Sequence, residues 1–67
     1  MRLDISFEID NAAFITEPGF RQGTEASFVL IKVAQELNKL SVLEAGLEGI
    51  ILDFNGNTIG VWKIKDE

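Results

Sequence analysis

The sequence predicts one α+β domain, residues 1–67, of β-α-β-β order: a three-stranded, mainly antiparallel sheet with one helix packed on one face. Three observations carry this reading. Residues 2–10 alternate apolar and polar with a period of two. Residues 24–40 repeat apolar side chains at steps of four and three. The stretch DFNGNTIGVW, residues 53–62, sets Asn-Gly between two apolar runs.

In the first strand, about residues 2–9, Leu3, Ile5, Phe7 and Ile9 alternate with Arg2, Asp4, Ser6, Glu8 and Asp10. One face is apolar and the other mostly acidic, so the strand should cover a core on one side and meet water on the other. Asp10-Asn11 supplies turn chemistry. Further on, Glu17-Pro18-Gly19-Phe20 fits a type II turn, with Pro second and Gly third. Phe14 and Phe20 in this connection are expected against the core.

A helix follows, about residues 24–40. Thr24 reads as its N-cap, and Glu25 falls in the first turn, where the helix dipole favours a carboxylate. Ala26, Leu30, Val33, Leu37 and Leu40 form one apolar stripe. No proline or glycine interrupts residues 24–45, so the helix ends near Lys39 or runs on until Gly46 acts as its C′ residue. Ser41-x-x-Glu44 matches a capping box and leaves a break and restart near Ser41 open.

The closing hairpin pairs strands of about residues 48–54 and 58–65. Asn55 and Gly56 both tolerate positive φ, as a two-residue type I′ turn demands. With that turn, Ile50, Leu52, Phe54, Ile59 and Val61 share one side, while Ile51, Gly60, Trp62 and Ile64 share the other. Both sides are apolar, and a single helix covers only one. The first strand is expected beside the last. A crossover that sets it parallel to the second strand is the alternative.

Composition narrows the chemistry. The chain holds no cysteine and no histidine, carries a net charge of −5, and is 46% apolar. Disulfides, thiolate metal sites, the usual general base and the commonest metal ligand are therefore absent. The charge argues against direct nucleic-acid binding, and Arg2, Arg21, Lys32, Lys39, Lys63 and Lys65 are scattered. Charges interrupt every apolar run short of a membrane span, and the acidic, alternating N-terminus is unlike a signal peptide. A soluble, cytoplasmic protein is expected. A chain this short buries only about 60% of its unfolded surface. With no covalent staple, it is expected to complete its core by oligomerising.

Candidate sites are few. Asp53-x-Asn55-x-Asn57 resembles the start of a calcium loop, but such a loop needs Gly at its sixth position and a carboxylate at its twelfth. Those positions are Thr58 and Ile64. Asp4 and Glu8 share a strand face at roughly 13 Å, too far apart to cooperate. Asp10 and Asp53 have the simpler role of turn formers. Ser6, Ser27 and Ser41 lack a histidine to activate them, and Lys39 and Lys63 give no sign of the deep burial that a nucleophilic lysine needs. Gly46-x-x-Gly49 and Gly56-x-x-x-Gly60 are not phosphate loops, since neither follows a strand and opens a helix. The expectation is no enzyme, no cofactor and no metal.

Read together, IDNAAF (9–14), VLIKVAQELNKL (29–40) and DFNGNTIGVW (53–62) resemble a family of very small, uncharacterised proteins encoded in phage and prophage genomes. Their pattern is a strand ending in a D-N-A-A-F-like sequence, an amphipathic helix and a closing D-x-N-G-N-x-x-G-x-W hairpin. The resemblance spans nearly the whole chain and implies the same β-α-β-β order, but it brings no catalytic or binding residues. This chain departs from the pattern where Phe28 and Ile31 stand at usually basic positions, near Leu52, where a basic residue is often found, and in a longer SVLEAGLEG stretch at 41–49.

These departures locate surplus apolar surface. The expected outcome is a two-fold homodimer burying Phe28, Ile31 and either the Leu52/Val61 or the Ile51/Trp62 face. Trp62 itself reads first as a core residue and second as an interface anchor. The function expected with the resemblance is that of a phage or prophage accessory protein that binds a host protein, such as an inhibitor of host defence. Two other classes are an acidic nucleic-acid-mimicking decoy, using Asp4, Glu8, Asp10, Glu17, Glu36 and Glu48, and a small-ligand sponge with a pocket between subunits.

Overall fold

Alternation, helical periodicity and the Asn-Gly turn produce, in chain order, β1 (Arg2–Phe7), β2 (Ile15–Glu17), β3 (Phe20–Arg21), α1 (Gly23–Asn38), β4 (Glu48–Leu52) and β5 (Thr58–Lys65). The structure, a computed structural model, describes residues 1–17 and 19–67, with Thr16 described by its backbone alone. The main sheet has the order β1-β5-β4 and is antiparallel throughout. The first strand lies beside the last, and the parallel crossover is not formed. A small β2–β3 hairpin, which the sequence reading did not anticipate, forms within the first connection. The turn expected at Glu17-Pro18-Gly19-Phe20 includes Pro18, which lies outside the described residues.

Direct cross-strand partners share a sheet face. Leu3 opposes Ile64, Ile5 opposes Trp62, and Phe7 opposes Gly60, while Trp62 also opposes Gly49. This is the face that α1 covers. Phe14, Val29, Val33, Ile51, Ile59, Trp62 and Ile64 form the core, with Phe7, Ala13, Ala26, Leu37, Leu40 and Leu47 packed around it.

The helix differs from its sequence reading in register and in its ends. It begins at Gly23 with Gln22 as N-cap, and no side chain caps it. Thr24 is therefore inside the first turn. The core-facing stripe runs through buried Val29 and Val33 and half-buried Ala26 and Leu37, with half-buried Leu40 just past the helix end, and Leu30 is 46% exposed. Steps of three and four fit both sets, so only docking against β4 selects Val29. The helix ends at Asn38, where the Lys39 and Leu40 amides donate to the Glu36 and Leu37 carbonyls at 3.1 Å. Gly46 does not extend it. Its amide instead donates to the Ile64 carbonyl at 2.8 Å, ahead of β4.

The hairpin turn has three residues, not two. The Asp53 amide donates to the Asn57 carbonyl at 2.9 Å, enclosing Phe54, Asn55 and Gly56. Gly56 has φ +82°, whereas among the described residues none other than glycine has positive φ, so the type I′ geometry is not adopted. A turn closed by the Gly56 amide on the Asp53 carbonyl, followed by left-handed Gly56, matches the common three-residue loop. An irregularity in register follows: Ile51 opposes Gly60 and Leu52 opposes Thr58, leaving Ile59 between them. The bulge turns Ile59 inward, to 7% exposure, away from the side that strict alternation assigns it. Phe14 is fully buried, but Phe20 stays 64% exposed on the short hairpin and does not join the core.

Candidate interaction surface

Asp53 is the buried polar centre of the molecule, at 2% exposure. One carboxylate oxygen, Oδ1, accepts the Asn55 and Asn57 amides at 2.8 and 2.9 Å. The other, Oδ2, accepts Asn57 Nδ2 at 3.2 Å and Asn11 Nδ2 across 42 residues of chain. Burial pushes the Asp53 pKa up, but hydrogen bonds from the Asn57 amide and side chain, the Asn55 amide and the Asn11 side chain outweigh it. The net effect holds the carboxyl below its ordinary value. Both oxygens are thus committed to N–H donors, and the Asp-Asn-Asn pattern serves as the internal clamp of a loop.

Asn11 does double work. Its Oδ1 accepts the Ala13 amide at 3.1 Å, and the Phe14 amide donates to the Asn11 carbonyl at 3.1 Å. The turn that drops Phe14 into the core is therefore tied to the hairpin clamp. Glu25 Oε2 accepts the Phe54 amide at 3.2 Å, so the start of α1 holds the hairpin tip. Near the other end of α1, Glu36 Oε2 accepts the indole N–H of Trp62 at 2.9 Å.

That last bond settles the place of Trp62. At 5% exposure, with its N–H turned to α1, it is a core residue and leaves the set of interface candidates. The other four, Phe28, Ile31, Leu52 and Val61, are 56%, 50%, 40% and 37% exposed. The Ile51/Trp62 face is the one the helix covers, and the Leu52/Val61 face is left bare. Ile50, directly opposite Val61, is 58% exposed, and Phe54 reaches 77% at the hairpin tip. Sequence reasoning placed Ile50 on the right side but did not single it out, although its place at mid-strand was the available signal.

Two hollows follow the flank of α1. One, of about 350 Å³, is lined by Glu25, Phe28, Ile31, Lys32 and Phe54 among others. The second, also about 350 Å³, lies between α1 and β4, lined by Lys32, Val33, Glu36, Ile50, Ile51 and Leu52 with Val29. Val29 and Lys32 border both, so the two form one groove running from the hairpin tip along the β4 edge.

The remaining carboxylates are dispersed. Asp4 pairs with Arg2 at 2.7 Å and with Lys65 at 3.1 Å, and Asp10 pairs with Arg21. Hydrogen bonds from Arg2 first, then Lys65, hold the Asp4 carboxyl below its ordinary value. Asp10 is engaged by Arg21, and Asp53 by Asn11, Asn55 and Asn57, so each carboxylate is committed to other partners. Ser6, Ser27, Ser41, Lys39 and Lys63 are all exposed. Among the described residues, no group of three or more acidic side chains is placed to share a metal ion, and no helix is long and apolar enough to cross a membrane. No protein-family model, curated protein or solved structure matches this chain.

Proposed function

We propose that the chain is a non-enzymatic binding module that works through its uncovered apolar surface. One observation carries the reading. A single helix covers one face of the sheet, leaving Phe28, Ile31 and Phe54 beside it, and Ile50, Leu52 and Val61 on the opposite face, in water. Each such side chain forgoes about 1.5–3 kcal/mol that full burial would contribute. Patches of this kind mark interaction sites. Self-association into a two-fold homodimer is the first consequence, because the apolar flank of the helix with Phe28 and Ile31 is complementary in apolar character to the same flank of a second copy.

The biological setting rests on the motif resemblance: a phage or prophage accessory protein, acting in the host cytoplasm on a host protein such as a defence factor. The acidic decoy is disfavoured by charge placement. On the bare face of the sheet, Arg2 opposes Lys65, Asp4 opposes Lys63, and Glu48 also opposes Lys63, so no uniformly acidic face is displayed. The ligand sponge keeps one supporting observation, since each hollow of about 350 Å³ reaches the size of a small-molecule site.

Sedimentation of the wild type and of a Phe28→Arg/Ile31→Arg variant tests the surface. The wild type should associate at micromolar concentration, and the variant should remain folded and monomeric. Retention from host lysate should survive added salt if the contact is apolar, whereas a decoy's complex would weaken steeply. Ester, phosphoester, glycoside and nucleotide substrates should show no turnover. A reproducible activity lost on changing Asp10 or Asp53 alone would overturn the non-enzymatic reading.

A further inference from the structure

The sheet has two open edges, and they are unlike. Edge strands invite pairing unless charge, proline or irregularity blunts them. The β1 edge is blunted: Arg2 and Asp4 lie on it, ion-paired to each other, and Lys65 reaches across to Asp4. The β4 edge reads Glu48-Gly49-Ile50-Ile51-Leu52, with no proline and a charge only at its first residue. Its ladder to β5 begins where the Ile64 amide donates to the Leu47 carbonyl. By the alternation of an antiparallel ladder, Gly49 and Ile51 then turn their main-chain groups to β5. Glu48, Ile50 and Leu52 turn theirs to the open edge.

We propose that β4 pairs with β4 of a second copy, antiparallel about a two-fold axis at Ile50. The result is one continuous six-stranded sheet carrying both helices on the same face. This rests on the reading of the chain as a self-associating module and names the edge, the register and the partner.

Three features commit the site to a second copy. First, a strand centred on Ile50 overlaps itself fully, so each outward main-chain group finds a partner. That register sets Glu48 against the partner's Leu52 and keeps the two Glu48 carboxylates apart. Second, the groove is complementary to itself in charge. Lys32 lines it with Glu25 on one side and Glu36 on the other. A two-fold copy running antiparallel brings carboxylates of this same groove towards Lys32, while Phe28 and Ile31 gain apolar neighbours above the joined sheet. Third, the exposed area exceeds that of an average compact monomer of this mass. The chain exposes 4820 Å², roughly 600 Å² more than the ~4,200 Å² that size scaling gives for its mass. That excess approaches the roughly 800 Å² per partner that a stable interface removes. Joining the sheets also brings the two Ile50/Leu52/Val61 strips together on the bare face, doubling the apolar surface open to a further partner.

An edge proline is the discriminating variant. A proline is tolerated where the lost N–H points away from the sheet, so Ile50→Pro should keep the far-ultraviolet spectrum of the wild type yet weaken dimerisation at least ~100-fold. Sedimentation reads the dissociation constant. Amide hydrogen exchange on the wild type supplies a second measurement that does not depend on the variant folding: the Ile50 and Leu52 amides should be protected at high concentration and lose protection on dilution. A dimer whose Ile50 and Leu52 amides exchange freely at every concentration, or a folded Ile50→Pro protein that still dimerises as the wild type does, overturns the β4 pairing while leaving self-association intact. A wild type that is monomeric at all concentrations overturns both.

Discussion

The Asn11 side chain donates to Asp53 across 42 residues, fastening the turn that buries Phe14 to the loop that closes the last hairpin. Asn11→Ala removes that donor and the Asx acceptor of the Ala13 amide together. A buried acceptor that loses a partner costs more than the mean hydrogen bond. Thermal unfolding should show a fall in Tm of about 5–15 °C, using the small-domain relation between free energy and Tm. Asn11→Asp should be worse, because it sets a second carboxylate against Asp53. An unchanged Tm in Asn11→Ala would deny the clamp its role.

Acid should open the same clamp. The Asp53 pKa is depressed in the fold relative to its ordinary 3.8. Protons therefore favour the unfolded chain, and the stabilisation is complete above that ordinary value. It is lost as pH falls from there through the folded value. Asp4, depressed by Arg2 and Lys65, acts in the same sense. Stability against urea should be level from neutral pH to about pH 5 and fall below pH 4. Asp53→Asn should be less stable at neutral pH and show a shallower acid limb.

Backbone geometry makes two glycines unequal in a measurable way. Gly56 sits at φ +82° and a Cβ there meets no atom within 4 Å, so Gly56→Val is opposed by conformational strain of about 1–3 kcal/mol. Gly60 lies against β1, where a Cβ would fall 1.9 Å from the Ser6 carbonyl oxygen. That oxygen belongs to a paired strand and has no room to retreat. Gly60→Ala should therefore be the more damaging change despite the smaller side chain, and denaturant titration of both variants checks the order. Calcium should leave the wild-type Tm unchanged, since both Asp53 oxygens are already bonded.

Trp62 reports on its own environment, being the only tryptophan in the chain. Its emission should be blue-shifted, shielded from iodide, and constant on dilution through the dimer transition. An interface tryptophan would change with concentration. Glu36→Ala strands the buried indole N–H and should cost about 1–3 kcal/mol, whereas Glu36→Gln, which keeps an acceptor, should cost less.

Local patterns were enough for the β-α-β-β order, the antiparallel sheet with its first and last strands adjacent, and the surplus of apolar side chains at Phe28 and Ile31. Period-two alternation, helical repeats and Asn-Gly are short-range signals, written within a few residues of where they act. What depended on distant partners was decided only by the fold. Leu30 and Val29 both satisfy a helical stripe, and packing against β4 chose Val29. Trp62 and Val61 both sit on apolar sides of their strand, and the helix covered the side of Trp62. Ile59 changed sides because of a bulge that alternation does not encode. The partners of Asp53, Glu25 and Glu36 had no local signature, because each bond joins segments that only tertiary packing brings together.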